Sequence, residues 1–424
     1  MRRHYLQSPR LICVFSFLVF FCLIFAGSAN LHAQGIMFRG AGAVNQSMGG
    51  AGVACPLSAT GALYWNPATM SAFSGTTVDV DLGIALADSS ISSTVNTPYG
   101  PIGGAETGSS TGAIPVPNVA IIRKNECSPI GFGFNFGAVG GAKTNYASAA
   151  WNENPILSSG MTPLGQELGY GTLNSSVQLL QIGANMSYAV NEKLSFSFGP
   201  TITMGEVACD PLYLVEGHSH PSEAIHSPGG RYVWGAGFQV GAYYDTQAGW
   251  AFGASYKSQN WIEPIRFQTT EGEKRLKLDL PAILSFGMSY YGWDKWVFAW
   301  DFRYYFHENA GYDQVGWSDM FAFSMGVQRQ MTDRLTLRVG YSMNENQLDS
   351  AFSRACIAVP LIPQHALFFG GSFKFDERMT LHLTYGHVFR ATSTGPFDGQ
   401  NPESGNVTIG AEADEITAGI SFNF

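Results

Sequence analysis

Three histidines within nine residues, His218, His220 and His226, flanked by Glu216 and Glu223, are the densest group of metal-ligating side chains in the chain. Imidazole suits zinc or copper, but nothing around them fixes a geometry, so they read as solvated loop histidines. No metal or other cofactor is expected. His382 and His387 share one segment of alternating residues, yet acyl-transfer chemistry needs a positioned nucleophile beside its base. No nucleophile motif stands near, and the chain does not read as an enzyme. Cys55, Cys127, Cys209 and Cys356 are scattered without C-x-x-C spacing, which supports neither a metal cluster nor a redox pair. No nucleotide-binding motif is present to power work with ATP.

With so little chemistry to position, the elements carry the meaning. Only 13% of the 424 residues are charged, while 50 are glycine and 13% aromatic; soluble proteins average roughly 25% charged. That mixture fits short strands, tight turns and interfacial rings. Arg2, Arg3 and Arg10 precede an apolar run from Leu11 to Phe25, followed by small residues and Leu31-His32-Ala33. This is the grammar of a signal peptide over 1–33, too short to span a bilayer as a helix, with the mature chain starting near Gln34. Loss of the three arginines takes the formal charge from −9 to −12, which leaves a nucleic-acid partner no electrostatic footing.

The final residues alternate strictly: Ile416, Ala418, Ile420, Phe422 and Phe424 against Thr417, Gly419, Ser421 and Asn423. Period two means a strand. The pattern recurs with large rings on one face, as at Trp296, Phe298, Trp300, Phe302, Tyr304 and Phe306. About fourteen strands follow, near 76–87, 114–123, 130–140, 173–190, 194–209, 231–245, 249–261, 276–291, 296–307, 318–330, 334–344, 363–375, 379–390 and 413–424. Short connections, such as 125–129, 190–193 and 292–295, alternate with long ones: 88–112, 141–172, 210–230, 263–275, 308–317, 345–362 and 391–412. Short turns inside and long loops outside are the layout of an outer-membrane barrel. Lipid leaves no water for an unpaired strand edge, so the sheet must close, and a closed barrel has no need of disulfides.

Residues 35–74 do not alternate and are rich in Gly and Ala; they could fill a lumen too wide for side chains alone. The expected fold is therefore an all-β transmembrane antiparallel barrel with an N-terminal hatch, divided as signal peptide 1–33, hatch 34–75 and barrel 76–424. The Gly-rich run Ser47-Met48-Gly49-Gly50-Ala51-Gly52, the segment Tyr64-Trp65-Asn66-Pro67-Ala68, Leu280-Pro281 opening a strand, and the terminal Phe424 resemble those of the FadL-type long-chain fatty acid transporters, a family that also takes up aromatic hydrocarbons. The resemblance implies a fourteen-stranded barrel in the cell outer membrane of a Gram-negative bacterium. Its passage of hydrophobic molecules would be passive and ligand-gated, with fatty acids ahead of aromatic hydrocarbons. Ligand caught by the outer loops would pass through the lumen and leave laterally into the bilayer.

Carried over residue by residue, Gly35, Ile36, Met37 and Phe38 would be the N-terminal plug in an apolar pocket. Asn66, Pro67 and Ala68 would be a structural and gating element, with Pro67 fixing a turn. Family members kink the third strand to open a side window; here Gly137, Gly140 and Gly141 could permit a bulge or be ordinary strand-end glycines. A desolvated fatty carboxylate needs a cationic partner, which fatty-acid members supply near the end of the fifth strand, where this chain has Gly205-Glu206-Val207. By parity Arg303 and Arg338 face the lumen and are the candidates, a structural pairing with Asp301 being the plainer use. Trp151, Ile156, Leu157, Met161 and Leu164 could form an outer capture groove or the loop's own core. The expected partners are hydrophobic small molecules, outer-membrane lipid and, through the C-terminal strand, the barrel-assembly machinery, with the chain a monomer. A diffusion porin for polar solutes, the rival reading, would have an open lumen.

Overall fold

Outward-facing residues set the character of the sheet. Along the first strand Val80, Leu82, Ile84 and Leu86 are exposed while Thr77, Asp79 and Asp81 are buried, the reverse of a soluble barrel and the arrangement a lipid surround requires. The structure, a computed structural model, describes residues 35–159, 169–211, 229–269, 272–398 and 401–424. The expected signal peptide and the histidines His218, His220 and His226 lie outside the described residues. No helix among the described residues is long and apolar enough to cross a membrane.

Eighteen strands are described: β1 (Gly75–Thr97), β2 (Gly100–Gly108), β3 (Ala113–Lys124), β4 (Ile130–Tyr146), β5 (Leu173–Ala189), β6 (Leu194–Asp210), β7 (Arg231–Asp245), β8 (Trp250–Lys257), β9 (Trp261–Ile262), β10 (Ile265–Thr269), β11 (Gly272–Leu276), β12 (Ala282–Tyr290), β13 (Trp296–Phe306), β14 (Met320–Gln330), β15 (Leu335–Asn344), β16 (His365–Lys374), β17 (Met379–Asp398) and β18 (Asn401–Asn423). Fourteen of them, all but β2, β9, β10 and β11, form a closed antiparallel barrel in which each pairs with the next barrel strand and β18 returns to β1. On β18 the outward apolar series from Phe424 up to Ile416 gives way to Asp414, which accepts a 2.9 Å bond from His387 of β17. That apolar stretch of nine residues is the length a tilted strand needs, roughly 9–11 residues, to cross the hydrocarbon core.

Two of the expected loops are strands. β1 runs on to Thr97, paired with β18 as far as Val95↔Gly405, and β2 folds back on it; β17 likewise continues to Asp398. The stretches 88–112 and 391–412 were obscured because their alternation is carried by Ser, Thr and Gly, with Ile91, Val407 and Ile409 as the buried members. The expected strands 249–261 and 276–291 are shorter than their patterns. Between β8 and β12 lie β9 and the β10–β11 hairpin, whose Ile265, Phe267 and Leu276 enter the core of the outer cap. Pro264 and Pro281 lack the N–H a continuous ladder would need.

Residues 35–74 lie inside the ring as α1 (Gly42–Ser47), α2 (Ala59–Trp65) and a 3-10 turn, Pro67–Ala72. Ser58 caps α2 by accepting a 3.1 Å bond from the Gly61 N–H. Small residues are required because wall and inner segment touch backbone to backbone: a Cβ on Gly49, at φ +67°, would stand 2.5 Å from the Tyr341 carbonyl oxygen. Polar anchors come from around the wall. Asp81 accepts from the Ala43 N–H (2.9 Å), Asp79 from that of Thr60 (3.1 Å), and Asp301 from those of Gly52 (2.7 Å) and Val53 (3.0 Å). Ser289 donates to the Ala54 carbonyl, Gln239 to that of Trp65, Ser195 to that of Ala68 and Thr384 to that of Ala43.

Candidate functional site

The wall is incomplete at one seam. β3 pairs with β1 along its whole length, Ala113 to Lys124, and β4 pairs with β5 up to Tyr146, but β3 and β4 pair with each other only between Asn118↔Gly137 and Lys124↔Gly131. Beyond Gly137 two strand edges face a gap, which is bridged again where the Ser110 N–H donates to the Asn145 carbonyl (2.9 Å). Within the gap β4 bulges: Ala138 lies opposite Leu180 and Gly140 opposite Leu179, so Val139 is an extra residue.

The expected plug residues sit against this bulge. The Phe38 N–H donates to Val139 (2.9 Å) and the Gly141 N–H to Ile36 (3.1 Å), so Ile36, Met37 and Phe38 form a short strand-like rung on its inner side. The three glycines flagged from the sequence flank it. A Cβ on Gly140 would lie 2.4 Å from the Ile36 oxygen, on Gly137 2.2 Å from Asn118 Oδ1, and on Gly141 2.8 Å from the Val177 oxygen. Gly35 abuts His307, an outer-loop residue wholly buried among Tyr305, Tyr312 and Trp317; burial pulls its pKa down to about 4.

Behind the gap is a cavity of ≈180 Å³ lined by Gly35 to Arg39, by β3, β4, β5 and β18 residues, and by Pro360, Leu361 and Pro363 of an outer loop. A second cavity of ≈90 Å³, walled mainly by apolar groups such as Phe267, Leu276 and Leu280, shares Ile36, Val177 and Leu179 with the first. Those three residues border both cavities.

The cations expected from strand parity do lie on the inner face, but neither lines these cavities. Arg303, fully buried, donates to Asp301 (2.6 Å), the Gly50 carbonyl (2.6 Å) and Ser324 (3.0 Å), with its guanidinium 3.6 Å from the Trp65 ring centroid. It is a clamp on the inner segment. Arg338 donates to Gln328 (2.7 Å) and Ser372 (2.6 Å), toward the short-turn end. The cavity is lined instead by Lys143 of β4 and by Arg39, the one charged residue among 35–74 and a signal the sequence did carry. Its terminal nitrogens donate to Ser342, Asn344 and the Gln364 carbonyl (3.2 Å each) and to that of Pro363 (2.7 Å). Burial lowers its pKa to about 10, which leaves it charged at neutral pH.

Asn66, also fully buried, donates to Val53 (2.8 Å) and to Ala242 of β7 (2.9 Å) while its Oδ1 accepts from Ala68 (3.2 Å), and Pro67 opens the 3-10 turn. The Asn66-Pro67-Ala68 segment thus ties the inner segment to the wall. Ile156 and Leu157 are fully buried in the outer cap, so in the described residues they serve that loop's own core; Trp151 is half-buried, and Met161 and Leu164 lie outside the described residues. All four cysteines described are unpaired, and burial pushes Cys55 and Cys356 up to about 12. No metal-binding group of His, Cys, Asp or Glu occurs among the described residues.

Comparison with known proteins agrees with this geometry. A family profile described as outer membrane protein transport protein (OMPP1/FadL/TodX) matches residues 24–424. The P. putida toluene transporter TodX superposes with a TM-score of 0.68 at 19% identity, covering 91% of this chain and 99% of its own. For the Ralstonia pickettii toluene transporter TbuX the values are 0.66 and 16%, with 91% and 99% covered. A Pseudomonas aeruginosa FadL homologue gives 0.67 and 13%, with 92% and 100% covered. No curated protein sequence matches the chain. The chain belongs to the OMPP1/FadL/TodX family of outer membrane transport proteins and is a β-barrel of the cell outer membrane.

Proposed function

We propose that the protein passes hydrophobic small molecules by passive, ligand-gated entry and releases them sideways into the bilayer through the β3–β4 gap. The observation that carries this reading is the contrast between axis and wall. Residues 35–74, the hatch, are anchored to β1, β6, β7, β12, β13 and β17 by hydrogen bonds, whereas the wall beside the ≈180 Å³ cavity lacks its ladder. A hydrophobic solute that leaves through a wall never crosses water. Ile36 is the natural gate, since its displacement would join the two cavities. Toluene is the named cargo of two structural neighbours and a third is a FadL homologue, so aromatic hydrocarbons and long-chain fatty acids are the two candidate cargoes.

The test is saturable binding and uptake of radiolabelled toluene and oleate by the purified barrel and by expressing cells, compared with a variant lacking residues 35–74. Saturable uptake of either by the intact protein supports the reading. Free passage of sugars and ions through the intact barrel, with neither hydrophobic ligand bound, replaces it with a diffusion porin.

A further inference from the structure

Glu415 lies on the inner face of β18 and lines the larger cavity. Its neighbours across the sheet are Ala85 on β1 and Gly386 on β17; the Phe368 ring packs over Gly386, while the small Ala85, which also lines the cavity, leaves the β1 side open. The other inward acids described above, Asp79, Asp81 and Asp301, each grip backbone amides of the hatch. Glu415 is held differently: it interacts with Arg39 through charge, but no hydrogen bond reaches its carboxyl group among the described residues. Arg39 and the exposed Lys143 line the same cavity, and the terminal nitrogens of Arg39 hydrogen-bond to Ser342, Asn344, Gln364 and Pro363. A half-buried carboxylate whose oxygens hold no hydrogen bond can accept one from a donor that arrives with the ligand.

We propose that Glu415 is a specificity-determining residue of the cavity, accepting a hydrogen bond from the hydroxyl or ammonium head of an otherwise hydrophobic ligand and turning back carboxylates. The head sits at Glu415 while the tail extends past Ile36 toward the apolar second chamber. A site with a built acceptor discriminates strongly against a ligand that cannot donate to it. The inference rests on the transport reading above and selects among its cargoes.

The experiment uses the full-length barrel in nanodiscs with bound tritiated toluene, displaced by decan-1-ol, decylamine or decanoate at neutral pH. In the wild type the alcohol and the amine displace toluene at concentrations about tenfold below decanoate, a difference the size of one hydrogen bond to a charged group. Glu415→Leu brings all three within about threefold of one another, and the isosteric Glu415→Gln keeps the alcohol's advantage while losing the amine's. Equal displacement by decanoate and decanol in the wild type, or an order unchanged in Glu415→Leu, overturns the assignment while leaving the transport reading intact. If toluene itself does not bind, the transport reading falls instead.

Discussion

Asn66 shows how a single side chain can hold a plug in place: three backbone groups, two of them in the hatch and one in the wall, share its amide. Asn66→Ala leaves buried carbonyls without donors and lowers stability by about 3 kcal/mol; the check is the temperature at which the folded, fast-migrating form is lost on a gel. Asp301→Ala removes the partner of a fully buried Arg303 and costs about 3–5 kcal/mol, read from urea unfolding in lipid vesicles. His307 predicts a pH dependence. Its ring stays neutral in the folded cap down to about pH 4, while an unfolded histidine takes up its proton near pH ~6.5. The unfolded state therefore binds more protons between those values, so the stabilisation is whole above pH ~6.5 and is lost as the pH falls toward 4. The urea midpoint is expected to drop from pH 7 to pH 5 in the wild type and by less in His307→Gln.

At the scale of elements, the bulge of β4 turns on one residue. Deleting Val139 restores the register between Ala138 and Gly140 and removes the carbonyl that holds Phe38; uptake of hydrophobic ligand is expected to fall at least tenfold while the barrel remains folded and heat-modifiable. The strands themselves were legible because a lipid surround imposes a period of two with rings outward, as on β13. What escaped was β1 beyond Asp88 and the β10–β11 hairpin, where the buried face packs on loops and alternation is carried by small residues or cut by Pro264 and Pro281. The glycines at 137, 140 and 141 lie at or beside the bulge of β4, where close backbone approach leaves no room for a Cβ. Parity assigned Arg303 and Arg338 to the inner face but says nothing about height along the barrel or about what a side chain meets there. Arg303 meets the hatch, while the charges that line the cavity include Arg39, in a segment without periodicity, Lys143 on β4, and Glu415, one step beyond the polar series read at Thr417.

For the molecule as a whole, a barrel of fourteen strands would leave a wide lumen, and the hatch fills it. The intact protein is expected to show almost no ion conductance in a planar bilayer, and the variant lacking residues 35–74 steady, large conductance; comparable currents from both would mean that the hatch does not seal the axis. The anchors that hold it come from β1 near one end of the chain and from β17 at the other, some three hundred residues apart. None of these long-range bonds forms until distant parts of the wall have come together, the condition that makes folding slow. During that interval the hatch has no home and waits in water. A plug greasy throughout would aggregate there, whereas about half of residues 35–74 are Gly, Ala, Ser or Thr, which dilute its larger apolar side chains. Its wealth of small residues is therefore fitted to the unfinished protein as much as to the finished one, and the timing of assembly is written into the composition of residues 35–74.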